Sequence, residues 1–242
     1  MAGSLYVAAL LTGAATSVVV FISIGLALAG RRAGLARPRT LAVLVAAGLV
    51  AWLGASMALA ESGLLEVWSA VPPRWPLLPL TALATFALLS RTQTFRRLLR
   101  AVPLWQPVAL QTFRVAVELA FWRLHAEGLA PAQVTFEGRN FDALVGLTAP
   151  IMALGIAAGW VGPRVTIVWN ICGLVLLLNA IGTVASSAPG MLHLDWPGES
   201  FTAIAGWPVV WVPALLAPTA IVLHLVSIRQ SLPCGENGDA AL

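Results

Sequence analysis

The run LYVAALLTGAATSVVVFISIGLALAG, from Leu5 to Gly30, contains no charged residue and is followed directly by Arg31 and Arg32. A helix needs about 20 predominantly apolar residues to cross the hydrocarbon core of a bilayer. The run is too long for the apolar region of a secretory signal peptide, which has about 7–15 residues, and no positive charge precedes it. We therefore predict that this segment is a membrane-spanning helix.

The composition extends this prediction to the whole chain. Of its 242 residues, 59% are hydrophobic and 10% are charged, and the mean hydropathy is +0.88. Soluble domains are about 45–50% apolar and about 25% charged. The composition therefore excludes a soluble globular protein, a disordered chain and a nucleic-acid-binding protein. The two cysteines, Cys172 in an apolar run and Cys234 in the polar C-terminal stretch, do not predict a disulfide.

Seven segments are candidate spans. They are residues 5–30, 40–60, 75–90, 106–127, 141–160, 165–186 and 207–228. This pattern predicts an all-α integral membrane bundle of seven transmembrane helices, with one domain over residues 1–230. Residues 231–242 are polar and are predicted to form a disordered cytoplasmic tail.

The positions of the basic residues predict the orientation of the bundle. All 14 are arginines, and ten of them fall on one side of the seven-span arrangement. Cytoplasmic loops of membrane proteins carry an excess of basic residues. We therefore predict an outer N-terminus and a cytoplasmic C-terminus. The ten arginines are Arg31, Arg32, Arg37, Arg39, Arg91, Arg96, Arg97, Arg100, Arg164 and Arg229.

The stretch TQTFRRLLRAVPL, residues 92–104, mixes arginines with apolar residues. Such a segment is typical of an amphipathic helix that lies in the cytoplasmic interface. A plain connecting loop explains the same sequence equally well, and the two interpretations stay open at this point.

The fourth candidate span, QPVALQTFRVAVELAFWRLHAEG, carries a polar stripe. At 100° per residue, Gln111, Arg114, Glu118 and His125 fall within about 60° of arc. A charge at the centre of a span costs roughly 2.5–3.5 kcal/mol on insertion scales, so these residues must face the bundle interior, a partner or a water-filled cavity. We predict a pocket with Glu118 as proton or cation site and Arg114 as counter-charge or anion ligand. The alternative is a structural Arg114–Glu118 ion pair that fixes the helix register.

A second polar cluster, TFEGRNFD at residues 135–142, leads into the fifth span. One interpretation is a charged lid over the outer mouth of the bundle, next to His125. The other is that an asparagine or aspartate of the cluster caps the helix that follows. The candidate pocket residues in the cluster are Glu137, Arg139, Asn140 and Asp142.

Span 6 contributes Asn170 and Asn179, which either line the same pocket or hydrogen-bond to neighbouring helices. A metal site formed by His125, His193 and Asp195 is a further candidate, because imidazole and carboxylate groups suit zinc. Their spacing matches no compact motif, and solvated loop residues are the alternative. The sequence does not identify a cofactor, and the absence of lysine excludes a retinal Schiff base.

Several motifs in the second half of the chain carry a resemblance. They are Gln111-Thr-Phe-Arg114-Val-Ala-Val-Glu118 with Trp122, TFEGRNFDALVGLTAP from residue 135, Trp169-Asn170 in VWNICGLVLLLN, and VWVPALLAPTAIVLHLVSIRQ. Over roughly residues 105–230 the chain resembles an uncharacterised family of bacterial polytopic integral membrane proteins. The resemblance implies a membrane-embedded fold in a bacterial cytoplasmic (inner) membrane and brings no activity, ligand or catalytic residue.

Three functions remain open on the sequence. The leading prediction is a non-enzymatic bilayer protein whose span-4 pocket binds a small solute or ion for transport or sensing. The first alternative is a membrane enzyme acting on a lipid or isoprenoid substrate, with Glu118, His125, Glu137 and Asp142 as acid–base or metal residues. The second is a structural subunit whose polar stripe meets a membrane-protein partner or a second copy of the chain.

Overall fold

The structure, a computed structural model, describes residues 4–232. Within this range the secondary structure is entirely helical, with no strand, so the all-α prediction is confirmed for the described residues. Residues 1–3 and 233–242 lie outside the described part. Cys234 and all but the first two residues of the predicted tail fall in this undescribed region.

The helices follow one another with mostly short connections. They are α1 (Leu5–Arg32), α2 (Pro38–Glu61), α3 (Leu77–Ser90), α4 (Gln93–Ala101), α5 (Trp105–Leu110), α6 (Arg114–Ala126), α7 (Ala143–Ala157), α8 (Pro163–Ser187) and α9 (Ala217–Ser231). A π-helical segment, Val212–Leu216, leads directly into α9. Short 3₁₀ turns occupy Leu64–Glu66, Gln111–Phe113, Ala132–Val134 and Thr202–Ala205.

Four helices are long and apolar enough to cross a membrane. They are α1, α2, α8 and the continuous helix Val212–Ser231. The helices α3 and α7 are apolar but have only 14 and 15 residues. At 1.5 Å per residue such helices cover about 21–23 Å of a core that is about 30 Å thick. The predicted fourth span is divided into α5, a 3₁₀ turn and α6. Helix length and composition therefore support four spans and not the seven that the sequence predicts.

The outer surface of these helices is apolar. Large aliphatic side chains on α2, α7 and α8 are more than half exposed, which is the surface expected of helices that face lipid. Examples are Val43, Leu44, Ile151, Leu154, Val175 and Leu178.

The arginine-rich stretch after α3 is a helix, so of the two interpretations of residues 92–104 the helical one is confirmed. The hydroxyl of Thr92 caps α4 by accepting a hydrogen bond from the backbone N–H of Phe95 at 3.2 Å. Leu98 is buried while Arg97 and Arg100 are exposed. The helix is therefore amphipathic, with its apolar side packed on the bundle.

The last helix begins irregularly because of its prolines. Pro218 has no N–H, so the carbonyl of Ala214 lacks its usual helical donor. That carbonyl instead accepts a hydrogen bond from Nε1 of Trp52 at 2.8 Å. In return, Nε1 of Trp211 donates to the carbonyl of Leu53 at 3.1 Å. This exchange fixes α2 to the π-helical segment, a form of helix that is frequent at functional sites.

Hydrogen bonds show which helix ends lie next to each other at each end of the bundle. The backbone N–H of Ser4 donates to Glu127 at 3.0 Å, which places the start of α1 beside the end of α6. Arg32 donates to the carbonyl of Ala101, and Gln230 donates to a carbonyl of α4 at 2.8 Å. The ends of α1 and α9 therefore lie beside the basic helix α4, opposite the end that holds Glu127.

A glycine allows α7 to pack closely on the fourth predicted span. A Cβ atom at Gly146 would lie 2.8 Å from Cγ2 and 2.9 Å from the backbone nitrogen of Val115. Real Cβ contacts are longer than this, so the two backbones approach each other only because Gly146 has no side chain.

We expect Gly146→Ala to lower the free energy of unfolding by about 1–3 kcal/mol, because the added methyl group forces α7 away from its neighbour. Gly54→Ala is the matched control, since Gly54 is exposed on α2 and a Cβ there meets nothing within 4 Å. Reversible unfolding in mixed micelles measures both variants. Equal stability of the two would show that the close approach at Gly146 is unimportant.

Candidate functional site

The centre of the site is a buried ion pair between Arg114 and Asp142. Arg114 is 1% exposed and lies about midway along the α5–α6 segment. Its Nε donates to Oδ2 of Asp142 at 2.6 Å, and its NH2 group donates to Oδ1, which makes the pair bidentate. The helical spacing indicates Glu118 as a possible partner of Arg114, but in the structure Arg114 pairs with Asp142, 28 positions away.

The third guanidinium nitrogen extends this pair into a chain of hydrogen bonds. NH1 of Arg114 lies 2.8 Å from Nε2 of His224. A guanidinium only donates, so Nε2 accepts and the proton of a neutral ring lies on Nδ1. Nδ1 then donates to Oδ1 of Asn170 at 2.8 Å. The amide of Asn170 donates in turn to Oγ of Ser227 and to the carbonyl of Thr166, both at 2.8 Å.

His224 is not among the residues that the sequence predicts for the site. It is fully buried, and a Cβ at Gly173 on α8 would lie 2.5 Å from its Cε1 atom. The missing side chain of Gly173 therefore makes room for the imidazole. A lone histidine in an otherwise apolar helix was the available signal, since such a group needs a polar partner inside the bundle.

Glu118 lies one turn after Arg114 and is 3% exposed. Its Oε1 accepts a hydrogen bond from Nδ2 of Asn140 at 2.7 Å. Its other oxygen, Oε2, is buried and has no hydrogen-bond partner in the described part of the chain. Oδ1 of Asn140 accepts from the backbone N–H of Asp142 at 3.1 Å, so Asn140 contacts both acidic residues.

The segment before α7 folds so that Asn140 and Asp142 reach this depth. The carbonyl of Thr135 accepts hydrogen bonds from the N–H groups of Gly138 and Asn140, both at 3.1 Å. A Cβ at Gly138 would lie 2.6 Å from Cα of Gln133, so this tight turn requires a glycine. The predicted cluster is thus divided between a buried and an exposed part. Asp142 occupies the N-cap position of α7, but its side chain binds Arg114 and makes no capping bond.

A cavity lies beside Glu118. Its volume is about 90 Å³. On the same measure one water molecule needs about 10–15 Å³. Four polar residues reach it, and the rest of its wall is apolar and aromatic. The polar ones are Arg114, Glu118, Asn140 and Asp142, and the aromatic ones are Trp75, Phe113 and Phe121.

Two of the walls of the cavity come from α3 and α8. Pro79 of α3 forms one wall, and Leu177, Ala180 and Ile181 of α8 form another. Both helices pack on α9, but in the described structure they do not pack closely on each other. The outer surfaces of both helices are apolar.

Gln111 is buried beside the site without lining the cavity. Its Nε2 donates to the carbonyl of Ala220 at 3.1 Å, which ties the 3₁₀ turn to α9. Asn179 is exposed and donates to the carbonyl of Arg139 at 2.7 Å. Of the two asparagines predicted in span 6, only Asn170 therefore joins the buried chain of hydrogen bonds.

The remaining predicted pocket residues lie outside the cavity. Glu137 is exposed and accepts a hydrogen bond from Nε1 of Trp122 at 2.8 Å. The guanidinium of Arg139 lies 5.2 Å from the ring centre of Trp196, a cation–π contact. His125 Nδ1 lies 2.8 Å from a carbonyl oxygen of the following turn. These side chains stabilise the loops at one end of the bundle.

The candidate metal residues are not brought together. His193 is exposed, and its Nδ1 lies 3.2 Å from the carbonyl of Ala188. Nδ1 of His125 instead lies 2.8 Å from the carbonyl of Ala130. Among residues 4–232, no group of three or more His, Cys, Asp or Glu side chains is placed to hold a metal ion. The structure therefore gives no support to a site formed by His125, His193 and Asp195.

Asp142→Asn is expected to lower the free energy of unfolding by about 3–5 kcal/mol, because it leaves the charge of Arg114 buried without a counter-charge. The matched control is Arg123→Ala, which breaks the partly exposed Arg123–Glu127 pair on the same helix (2.7 Å). That pair is worth less than about 1 kcal/mol. The pair is intact at neutral pH, because hydrogen bonds from Ser4 and Arg123 lower the pKa of Glu127 and keep its carboxylate ionised.

Unfolding in mixed micelles at neutral pH measures both changes. The double variant Arg114→Met with Asp142→Asn is expected to lose less stability than the sum of the two single variants. Additive losses would contradict a direct pairing of these side chains.

Compared with known proteins, the chain matches no protein family, no curated protein and no solved structure.

Proposed function

We propose that the chain is a multi-pass protein of a bacterial cytoplasmic membrane that crosses the bilayer seven times. In addition to the four long helices, the crossings are α3, the α5–α6 segment, and α7 together with the buried segment before it. The contacts between helix ends support this arrangement, since the basic ends of α1, α4 and α9 meet on one side. The N-terminus then lies outside and α4 lies along the cytoplasmic interface.

The function that the geometry supports best is binding of a small solute in the cavity at Glu118, for transport or for sensing. The observation that carries this proposal is the unpartnered Oε2 atom. A buried polar group without a hydrogen bond costs about 1–3 kcal/mol, and more when it is charged. A ligand in the cavity that donates a hydrogen bond to Oε2 removes this cost.

The two buried acidic residues, Asp142 and Glu118, differ in their hydrogen bonding. The difference favours a structural role for Asp142 and a binding role for Glu118. Asp142 is matched by Arg114 through two hydrogen bonds, as expected of a structural pair. Glu118 lines open space and has one oxygen free within the described residues. A residue retained only to fix helix register would have both oxygens satisfied, as buried polar groups in proteins usually are.

The alternatives have less support. The enzyme hypothesis requires Glu118, His125, Glu137 and Asp142 around one substrate, but only Glu118 and Asp142 line the cavity. The subunit hypothesis requires the polar stripe of span 4 to face a partner. In this fold Gln111, Arg114 and Glu118 are buried within the chain itself.

Filling the cavity tests the proposed function. Ala180 lines the cavity on α8, so Ala180→Phe is designed to fill the space of the solute without replacing any of the polar residues. We expect the protein purified in mild detergent to carry a bound small molecule, detected by mass spectrometry, that Ala180→Phe and Glu118→Gln both lack. Leu178→Phe, on the outward side of the same helix, is the control and keeps the ligand.

Melting temperature is recorded in parallel. Near-normal melting of the two ligand-free variants supports a binding site. A strongly lowered melting temperature for Glu118→Gln, with no bound molecule in any form of the protein, would contradict the proposal and leave Glu118 as a structural residue.

The proposed orientation is tested by labelling single cysteines. Cys172 and Cys234 are first replaced by alanine, and then Gln93→Cys on α4 and Glu199→Cys in the loop before α9 are made separately. Three proposed crossings separate these two exposed positions. A membrane-impermeant maleimide is expected to label Glu199→Cys in intact spheroplasts and Gln93→Cys only after permeabilisation. Labelling of both positions from the same side would overturn the orientation or the number of crossings.

A further inference from the structure

We propose that the cavity selects an organic ammonium ion, a small molecule with one N–H-bearing cationic group on an apolar body. This inference rests on the proposed function and names the class of its ligand. The ammonium group donates a hydrogen bond to Oε2 of Glu118, and the apolar body lies against the aromatic and aliphatic walls.

Charge balance in the cavity points to a cation. The three nitrogens of Arg114 bind Asp142 and His224, so its charge is compensated. His224 is neutral because Nε2 accepts from Arg114 while Nδ1 donates to Asn170. Among the described polar side chains that line the cavity, only the acidic group of Glu118 then has no hydrogen bond to a charged group. An anionic ligand would meet this carboxylate without a free cation to hold it.

The walls distinguish an organic cation from a metal ion. Mg²⁺ and Ca²⁺ require about six or more oxygen ligands, whereas the free polar atom here is one carboxylate oxygen. The aromatic side chains of Trp75, Phe113 and Phe121 line the same space. Aromatic faces attract organic cations, and the attraction increases when the cation is desolvated. The combination of one carboxylate oxygen and three aromatic residues therefore suits an ammonium group that carries an apolar chain.

The surroundings of the cavity fit such a molecule as well. Two of its walls belong to α3 and α8, and the surface of α3 is apolar at Leu80, whose side chain is more than half exposed. An amphiphilic cation concentrates in the lipid interface, with its apolar part already in the hydrocarbon region. Such a molecule reaches Glu118 from the bilayer without crossing a polar channel.

Three phenylalkyl probes of nearly equal shape test the inference. They are the cation 2-phenylethylammonium, its neutral isostere propylbenzene and the anion 3-phenylpropionate. Saturable binding is measured by equilibrium dialysis of radiolabelled probes against the full chain in lipid nanodiscs, with empty nanodiscs subtracted. The variants are Glu118→Gln, which removes the charge at constant size, and Glu66→Gln, which changes an exposed carboxylate away from the cavity.

We expect the cation to bind most tightly and its affinity to fall about tenfold or more in Glu118→Gln, the loss typical of a charge-assisted hydrogen bond. Glu66→Gln is expected to bind like the unmodified chain. Propylbenzene should bind the unmodified chain and Glu118→Gln equally, because it makes no contact that depends on the charge.

Equal or tighter binding of propylbenzene or 3-phenylpropionate than of the cation overturns the inference and leaves the cavity as a site for another solute. Cation binding that Glu118→Gln does not weaken overturns it too. If the cation does not bind saturably, the inference is also wrong. The mass spectrometry of Ala180→Phe then decides separately whether the cavity binds a solute at all.

Discussion

The bidentate ion pair between Arg114 and Asp142 determines the depth at which α7 begins. A buried guanidinium without a counter-charge is strongly destabilising, so the carboxylate must lie at the depth of Arg114. Asp142 is the residue that begins α7, and α7 therefore starts about midway along the α5–α6 segment. Part of the chain before it, residues 133–135 and Asn140, is buried in the bundle as a consequence.

This constraint explains why α7 is short and why irregular backbone is buried beside it. Non-helical backbone inside a membrane protein is tolerated where the protein itself satisfies its polar groups. Here the carbonyl of Thr135 accepts two N–H groups, and the side chain of Asn140 binds the carbonyl of Val134 at 3.0 Å. A carboxylate at the N-terminus of α7 is also favourable for the helix dipole.

Hydropathy predicts the long helices, whose ends are determined by the local sequence. It does not predict features that depend on contacts between residues far apart in the chain. The long helices α1, α2 and α8 end within about two residues of their predicted bounds, because arginines, prolines and loop residues flank uninterrupted apolar runs. Helical periodicity also identified Arg114 and Glu118 as inward-facing. It could not find the partner of Arg114, since Asp142 lies on another element. His224 and Asn170 pair only through the packing of α8 on α9, which periodicity within one helix does not reveal.

The cavity exists because two of its walls are not regular α-helices. Phe113 belongs to the 3₁₀ turn before α6, and Val212, Pro213 and Leu216 belong to the π-helical segment before α9. Proline breaks the hydrogen-bond ladder of that segment, and Trp52 satisfies the carbonyl that is set free. The contact with Trp52 therefore stabilises the irregular helix from outside the cavity. Inside the cavity, no larger side chain fills the space. A packed core normally closes such voids because each lost contact costs stability. The space beside Glu118 therefore has a cost in stability, which the proposed ligand would offset.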